Sequence, residues 1–269
     1  MTLDFDADRP VVGMVHLDAL PGAPAFDGDR AAVQEAMLRD ARRLEDGGVD
    51  GIIVENFGDA PFYADDVPKH VVASMTALVG DLSREVDLPL GVNVLRNDAE
   101  AALSVAAAAG ASFVRVNVHT GARLTDQGVV TGAAPETVRL RERLDADVSI
   151  LADVDVKHSA PLAERPLSEE VAELVERGHA DGIVASGAGT GEETDQEHIE
   201  RVVAARDELD AAVPVPVFVG SGVTSDTVVD TLALADGVIV GTALKEGGET
   251  TAPVDVERVR TLVDAARTA

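Results

Sequence analysis

The chain has no cysteine, no tryptophan, one tyrosine and only three lysines, Lys69, Lys157 and Lys245. Without cysteine there is no disulfide scaffold, no thiolate nucleophile and no Cys-ligated zinc or iron–sulfur centre. No apolar run approaches the roughly 20 residues needed to span a bilayer, so no integral membrane contact is expected. The acidic opening MTLDFDADRP lacks the basic region of a secretory leader, and a cytoplasmic protein is expected. Cations are scarce as well: 22 Lys and Arg stand against 49 Asp and Glu, a formal net charge of −27. Such a surface repels nucleic acid and anionic membranes, and neither is expected as a partner.

Hydrophobic residues supply 46% of the 269 positions, enough for a large core. An acidic, lysine-poor surface suits a cytoplasm at molar salt, where repulsion is screened within about 3 Å and hydrated carboxylates keep the protein soluble. The composition therefore points to a salt-accumulating source, and it makes each remaining lysine a candidate for function.

Along the chain, short β-branched runs alternate with longer segments of helical period. The runs fall at 11–16, 51–55, 90–94, 113–118, 148–153, 182–186, 215–220 and 237–240. Helical segments fall at 31–45, 99–109, 169–177, 196–209 and 227–235, with a last helix at about 255–267. Asp98, Ser168 and Ser225 stand where N-caps are expected. Strands this apolar are parallel and covered on both faces. Eight such units predict a single α/β domain over residues 1–269, a (βα)8 TIM barrel with parallel strands after a lead-in at 1–9. An open doubly wound sheet is the alternative.

In a barrel of this kind chemistry gathers where strands end. The last two runs close on Gly220-Ser221-Gly222 and Gly241-Thr242. Glycines there let backbone N–H groups approach an anion, and the two hydroxyls and Lys245 add donors, so a phosphate cradle is expected. Lys157 follows the fifth run and could grip an anionic group, move a proton or form a Schiff base, although Asp153 and Asp155 favour its charged form. His16, Glu55, Asn93, Asn117 and Asp153 ring the mouths of the first five strands. They suit acid–base work on a carbonyl, with Lys157 polarising its oxygen and Glu55 or Asp153 moving the proton. A divalent metal is the alternative use of these residues, but no HxH or HxxxH spacing supports it. Ser186 precedes a glycine-rich loop, Gly187-Ala188-Gly189-Thr190-Gly191. His119 opens a long segment to about Pro135, and a second runs from Phe57 to Lys69; each reads as a lid or an oligomer contact. His158 could be a proton shuttle. The apolar stretch 71–79 leads us to expect a homo-oligomer.

Several segments resemble the BtpA/SgcQ family. They are Val12-Gly13-Met14-Val15-His16-Leu17 with Leu20-Pro21-Gly22, Gly51-Ile52-Ile53-Val54-Glu55-Asn56-Phe57-Gly58-Asp59-Ala60-Pro61-Phe62, and Gly91-Val92-Asn93-Val94-Leu95-Arg96-Asn97-Asp98. Phe113-Val114-Arg115-Val116-Asn117-Val118, Ala152-Asp153-Val154-Asp155-Val156-Lys157-His158, and Gly220-Ser221-Gly222-Val223 with Gly241-Thr242-Ala243-Leu244-Lys245 continue it, from about Val11 to Thr261. Taken with the charge balance, it suggests a member from a halophilic archaeon. The resemblance implies a (βα)8 barrel. It also implies two functional settings: cyanobacterial members are associated with photosystem I accumulation as peripheral membrane proteins, and SgcQ-type members with sugar-phosphate gene contexts. The leading expectation is a lyase, aldolase or isomerase acting on a sugar phosphate or nucleotide-derived phosphate. A non-catalytic assembly factor is one alternative, and a barrel holding FMN in the same cradle is another.

Overall fold

The computed structural model describes residues 5–156, 158–187, 195–210 and 215–269. In chain order the first half comprises β1 (Val11–His16), α1 (Arg30–Asp46), β2 (Gly51–Glu55), α2 (Lys69–Leu82), β3 (Leu90–Asn93), α3 (Ala99–Ala109) and β4 (Phe113–Val116). A hairpin follows, β5 (Ala122–Thr125) and β6 (Gly128–Thr131), and then α4 (Ala134–Arg143), β7 (Ser149–Val154), β8 (Ala160–Pro161) and α5 (Leu167–Ala172). The chain closes with β9 (Gly182–Ala185), α6 (Gln196–Asp207), β10 (Val217–Val219), α7 (Val228–Leu232), β11 (Gly237–Val240) and α8 (Val256–Ala266). Eight of these strands form a closed barrel in the order β1-β11-β10-β9-β7-β4-β3-β2, and every pairing within it is parallel. The expected (βα)8 barrel is the observed fold; the open sheet is not.

Local chemistry sets the helix ends. Asp29 accepts hydrogen bonds from the amides of Ala31 and Ala32 at the start of α1, and Asp98 accepts one from Ala101 at the start of α3. Gly110, with φ of 80°, ends α3 in a left-handed turn that a side chain would resist. Two expected caps are displaced. α5 begins at Leu167 behind Pro166, which puts Ser168 inside its first turn, and it widens into a π-helical turn over Glu173–Arg177. α7 begins at Val228 after Thr227, not at Ser225.

The segment after His119 is also ordered differently from a lid loop. β6, β5 and β8 form a three-stranded antiparallel sheet that joins the insertion after β4 to the chain just past β7. Gly128, at φ 99°, follows the two-residue turn of the hairpin, whose strands bury Arg123 and Val130 and expose Leu124 and Val129. The apolar stretch of α2 is accounted for within one chain: Val71, Met75, Leu78 and Val79 are buried in its own core. Their apolarity is spent on packing and lends no support to self-association. Among the described residues no helix is long and apolar enough to cross a membrane.

Two-residue alternation places the barrel interior. Val12, Met14, Ile53, Phe113, Leu151, Val184, Phe218 and Ile239 pack against one another inside the strands. Phe5 packs edge-on against Phe113 and Phe218, with ring centroids 5.7 and 6.1 Å away, at the end where the strands begin. The two inner phenylalanines are accommodated by a glycine on the neighbouring strand: Gly91 pairs with Phe113, and Gly237 with Phe218. A Cβ on Gly91 would lie 2.3 Å from Phe113 Cε2, and one on Gly237 would lie 2.5 Å from Phe218 Cε1. Gly91→Ala should therefore overpack the barrel and lower stability by about 1–3 kcal/mol, read by chemical denaturation in molar KCl; an unchanged midpoint would mean that the ring moves freely.

Candidate active site

The alternation that fills the interior also delivers the site. Continuing each inward-facing row by two residues toward the strand end gives His16 after Met14, Glu55 after Ile53, Asn93 after Gly91 and Arg115 after Phe113. It likewise gives Asp153 after Leu151, Ser186 after Val184, Gly220 after Phe218 and Gly241 after Ile239. Strand register sets His16 opposite Glu55, and Glu55 opposite Asn93. The fold thus brings the predicted residues His16, Glu55, Asn93, Asn117, Asp153, Ser186, Gly220 and Gly241 to the C-terminal mouth of the barrel.

Arg115 organises this layer. It is 2% exposed, and its Nε and Nη2 each donate to one oxygen of Asp153 at 2.8 Å, a bidentate pair. Nη2 also reaches Ser186 Oγ at 3.3 Å. Burial pulls the guanidinium pKa down, but Asp153 and then Glu55 outweigh it and hold the group above its usual value. Asn117 donates to Asp153 Oδ2 at 3.3 Å and accepts from Asn93 Nδ2 at 3.2 Å; that same amide reaches the Arg115 carbonyl at 2.9 Å. Both oxygens of Asp153 are therefore engaged, so its carboxylate serves better as an anchor than as a mobile base.

Glu55 sits differently. It is 6% exposed, and its Oε1 lies 3.9 Å from His16 Nε2. The His16 ring packs edge-on against Phe57, centroids 5.1 Å apart. Glu55, His16 and Arg115 line a cavity of about 500 Å³ with Ser221, Gly222 and Thr242. Gly220 and Gly241 line it too, and neither has room for a side chain. A Cβ on Gly241 would lie 2.8 Å from His16 Cε1, and one on Gly220 would meet Val184 at 2.5 Å and Arg115 Nη2 at 3.1 Å. Gly222 has φ of 72°, the left-handed turn that carries the chain away from the strand. Ser221 Oγ accepts from the Gly187 amide at 2.7 Å, and Thr242 Oγ1 shares a hydrogen bond with Thr250 Oγ1 at 2.9 Å.

Lys245 does not belong to this cavity. It is 1% exposed and its Nζ donates to Asp40 of α1 at 2.9 Å; Asp40 also accepts the Val254 amide at 3.2 Å. Burial pushes the ammonium down from its usual pKa, against the pull of Asp40. The buried stem carries the charge inward to α1, so Lys245 pins the turn after β11 to the helical layer. His119 is likewise structural: fully buried, it bonds through Nε2 to the Gly178 carbonyl at 2.8 Å. Lys157 and the loop residues Ala188 to Gly191 lie outside the described residues. Among the described residues no group of three or more His, Asp or Glu converges as metal ligands would.

Residues 7–268 match the BtpA family pattern. This chain belongs to the BtpA family. It is 45% identical over 261 residues to the photosystem I biogenesis protein BtpA of a Synechocystis species, covering 97% of this chain and 89% of that one. Solved structures show the fold at lower identity. Thiamine phosphate pyrophosphorylase from Pyrococcus furiosus aligns with a TM-score of 0.57 at 17% identity, over 97% of this chain and 96% of that one. N-(5'-phosphoribosyl)anthranilate isomerase from the same organism also gives 0.57, at 13% identity, over 97% and 100%.

The sequence puts Arg96 and Arg115 at the ends of the third and fourth strands but gives neither a role; the structure buries both at the barrel mouth. Arg96, 6% exposed, follows β3 and lines a second cavity with Glu55 and Asn117. Burial lowers its guanidinium pKa, against Asp153 and Glu55. The Lys245 assignment yields a direct test. Asp40→Ala should destabilise by about 3–5 kcal/mol because it strands a buried ammonium, whereas Asp40→Leu with Lys245→Met should recover much of that loss in thermal unfolding. A single-variant loss below about 1 kcal/mol would contradict it.

Proposed function

We propose that this BtpA-family protein is an enzyme that acts on a small phosphorylated metabolite, a sugar phosphate or nucleotide-derived phosphate, by acid–base chemistry leading to lysis or isomerisation. The observation that carries the reading is the cavity of about 500 Å³, which joins the glycine turns after β10 and β11 to Glu55, His16 and Arg115. In this reading the phosphate rests on backbone N–H groups of Gly222, Gly241 and Thr242, with Ser221 beside them. Glu55 moves the proton, with His16 Nε2 3.9 Å from its Oε1. Arg115 holds Asp153 in place through its paired hydrogen bonds, and together with Asn117 and Asn93 they supply fixed dipoles where charge develops. Lys157 keeps its proposed part in polarising the reacting oxygen; Lys245 has none. The two solved barrels named above are, by name, enzymes of phosphorylated compounds, which agrees with this reading at the level of fold.

The Synechocystis relative favours a second reading, an assembly factor for which the barrel is a scaffold. That reading has no use for a glycine-lined cavity ending at buried ionisable groups. The two separate in one experiment: thermal unfolding in molar KCl, suited to the salt-adapted source we infer, against phosphorylated sugars, nucleotides, FMN and divalent metals. A phosphorylated ligand at 100 times its dissociation constant should stabilise by about 2.7 kcal/mol, and Gly222→Asp should remove the shift. No shift with any phosphorylated compound would turn the assignment to the scaffold. Once a substrate is in hand, Glu55→Gln should cut kcat by about 10²–10⁴-fold and leave binding nearly intact. Turnover at the wild-type rate would take Glu55 out of the mechanism.

A further inference from the structure

Glu55 lines two cavities, the glycine-walled one and a second of about 430 Å³ on its other side. The second is lined by Arg96, Asn117, His158 and Asp126 together with Phe57 and Phe62. Arg96 is a cation held almost out of solvent, at 6% exposure, in a protein of net charge −27. Asp153 and Glu55 at the barrel mouth, and Asp126 in the turn of the β5–β6 hairpin, favour its charged form, so the cavity is lined by a guanidinium that stays a cation.

From this placement we propose that the substrate carries a second anionic group, a carboxylate, and that Arg96 receives it with help from Asn117 and His158. The substrate class is then a phosphorylated carboxylic acid lying across Glu55, with the phosphate in the glycine turns and the carboxylate beside Arg96. The inference rests on the phosphate reading above and extends it. A planar guanidinium matches the two oxygens of a carboxylate in a paired geometry. A second phosphate fits less well, because Glu55 and Asp126 also face this cavity and oppose a dianion more strongly than a monoanion. The aromatic wall suits the carbon skeleton between the two ends. Anchoring both ends would fix the carbon next to the carboxylate near Glu55, where proton transfer is wanted.

The test is isothermal titration calorimetry in molar KCl with matched probes: phosphoglycerate beside glycerol phosphate, phosphogluconate beside sorbitol phosphate, and fructose bisphosphate. At least one acid should bind about tenfold or more tightly than its matching alcohol, the scale of a charged hydrogen-bonded contact. Arg96→Gln should erase that preference while leaving the alcohol phosphate's affinity unchanged. His158→Asn, at an exposed residue with φ of 55° that asparagine tolerates, should reduce the preference and settles the matter if Arg96→Gln does not fold. The proposal is overturned by equal affinity for acid and alcohol, by a preference that survives Arg96→Gln or His158→Asn undiminished, or by an Arg96-dependent preference for the bisphosphate. Gly222→Asp separates the two layers. If it weakens acid and alcohol alike, the glycine turns hold the phosphate. If it weakens neither while the Arg96-dependent preference persists, the phosphate assignment fails and the carboxylate subsite stands.

Discussion

Eight parallel strands share one interior, and each strand can send only every second side chain into it. That constraint governs the molecule. The inner rows must be apolar while they are stacked on one another, and two of them hold a phenylalanine only because the neighbouring strand offers a glycine. The last inward position of each row lies where the stack ends, and there a polar residue is tolerated if its partners lie on adjacent strands. His16, Glu55, Asn93, Arg115, Asp153 and Ser186 occupy those positions. Hydrogen bonds link Asn93, Arg115, Asp153 and Ser186 from strand to strand, most firmly in the paired contacts of Arg115 and Asp153.

Charge is distributed against the composition. A chain with 49 acidic residues places Arg96 and Arg115 among the buried groups of the barrel mouth, so the neighbourhood of Glu55 is less negative than the surface around it. At molar salt, where screening acts within about 3 Å, the acidic exterior exerts little pull on distant ions. Contacts sheltered from solvent keep their strength. A site of buried ion pairs is therefore well matched to the salt regime that the composition suggests.

Much of this was legible beforehand because barrel strands are continuous apolar runs. β1, β2 and β11 fall at their expected bounds, and α3 does so because Asp98 and Gly110 mark both ends. The ring at the strand mouths was legible for the same reason: a Glu or an Asn that ends a hydrophobic run has few purposes. Arg115 was visible at a strand end but not its role, since its partner Asp153 lies 38 positions away. Lys245 misled because its sequence neighbours are site residues; its partner Asp40 is 205 positions away, and no local pattern carries such a contact. The β5–β6 hairpin escaped because its strands are four residues each and invert the usual pattern, burying Arg123 and exposing Leu124 and Val129.

Phe5 has a consequence for access to the site. By seating its ring against Phe113 and Phe218, it adds a layer to an interior already filled by side chains, at the end away from the polar layer. Both cavities that Glu55 lines therefore rest on solid core. The floor of the site is the protein's own packing, so the rigidity of one is the stability of the other.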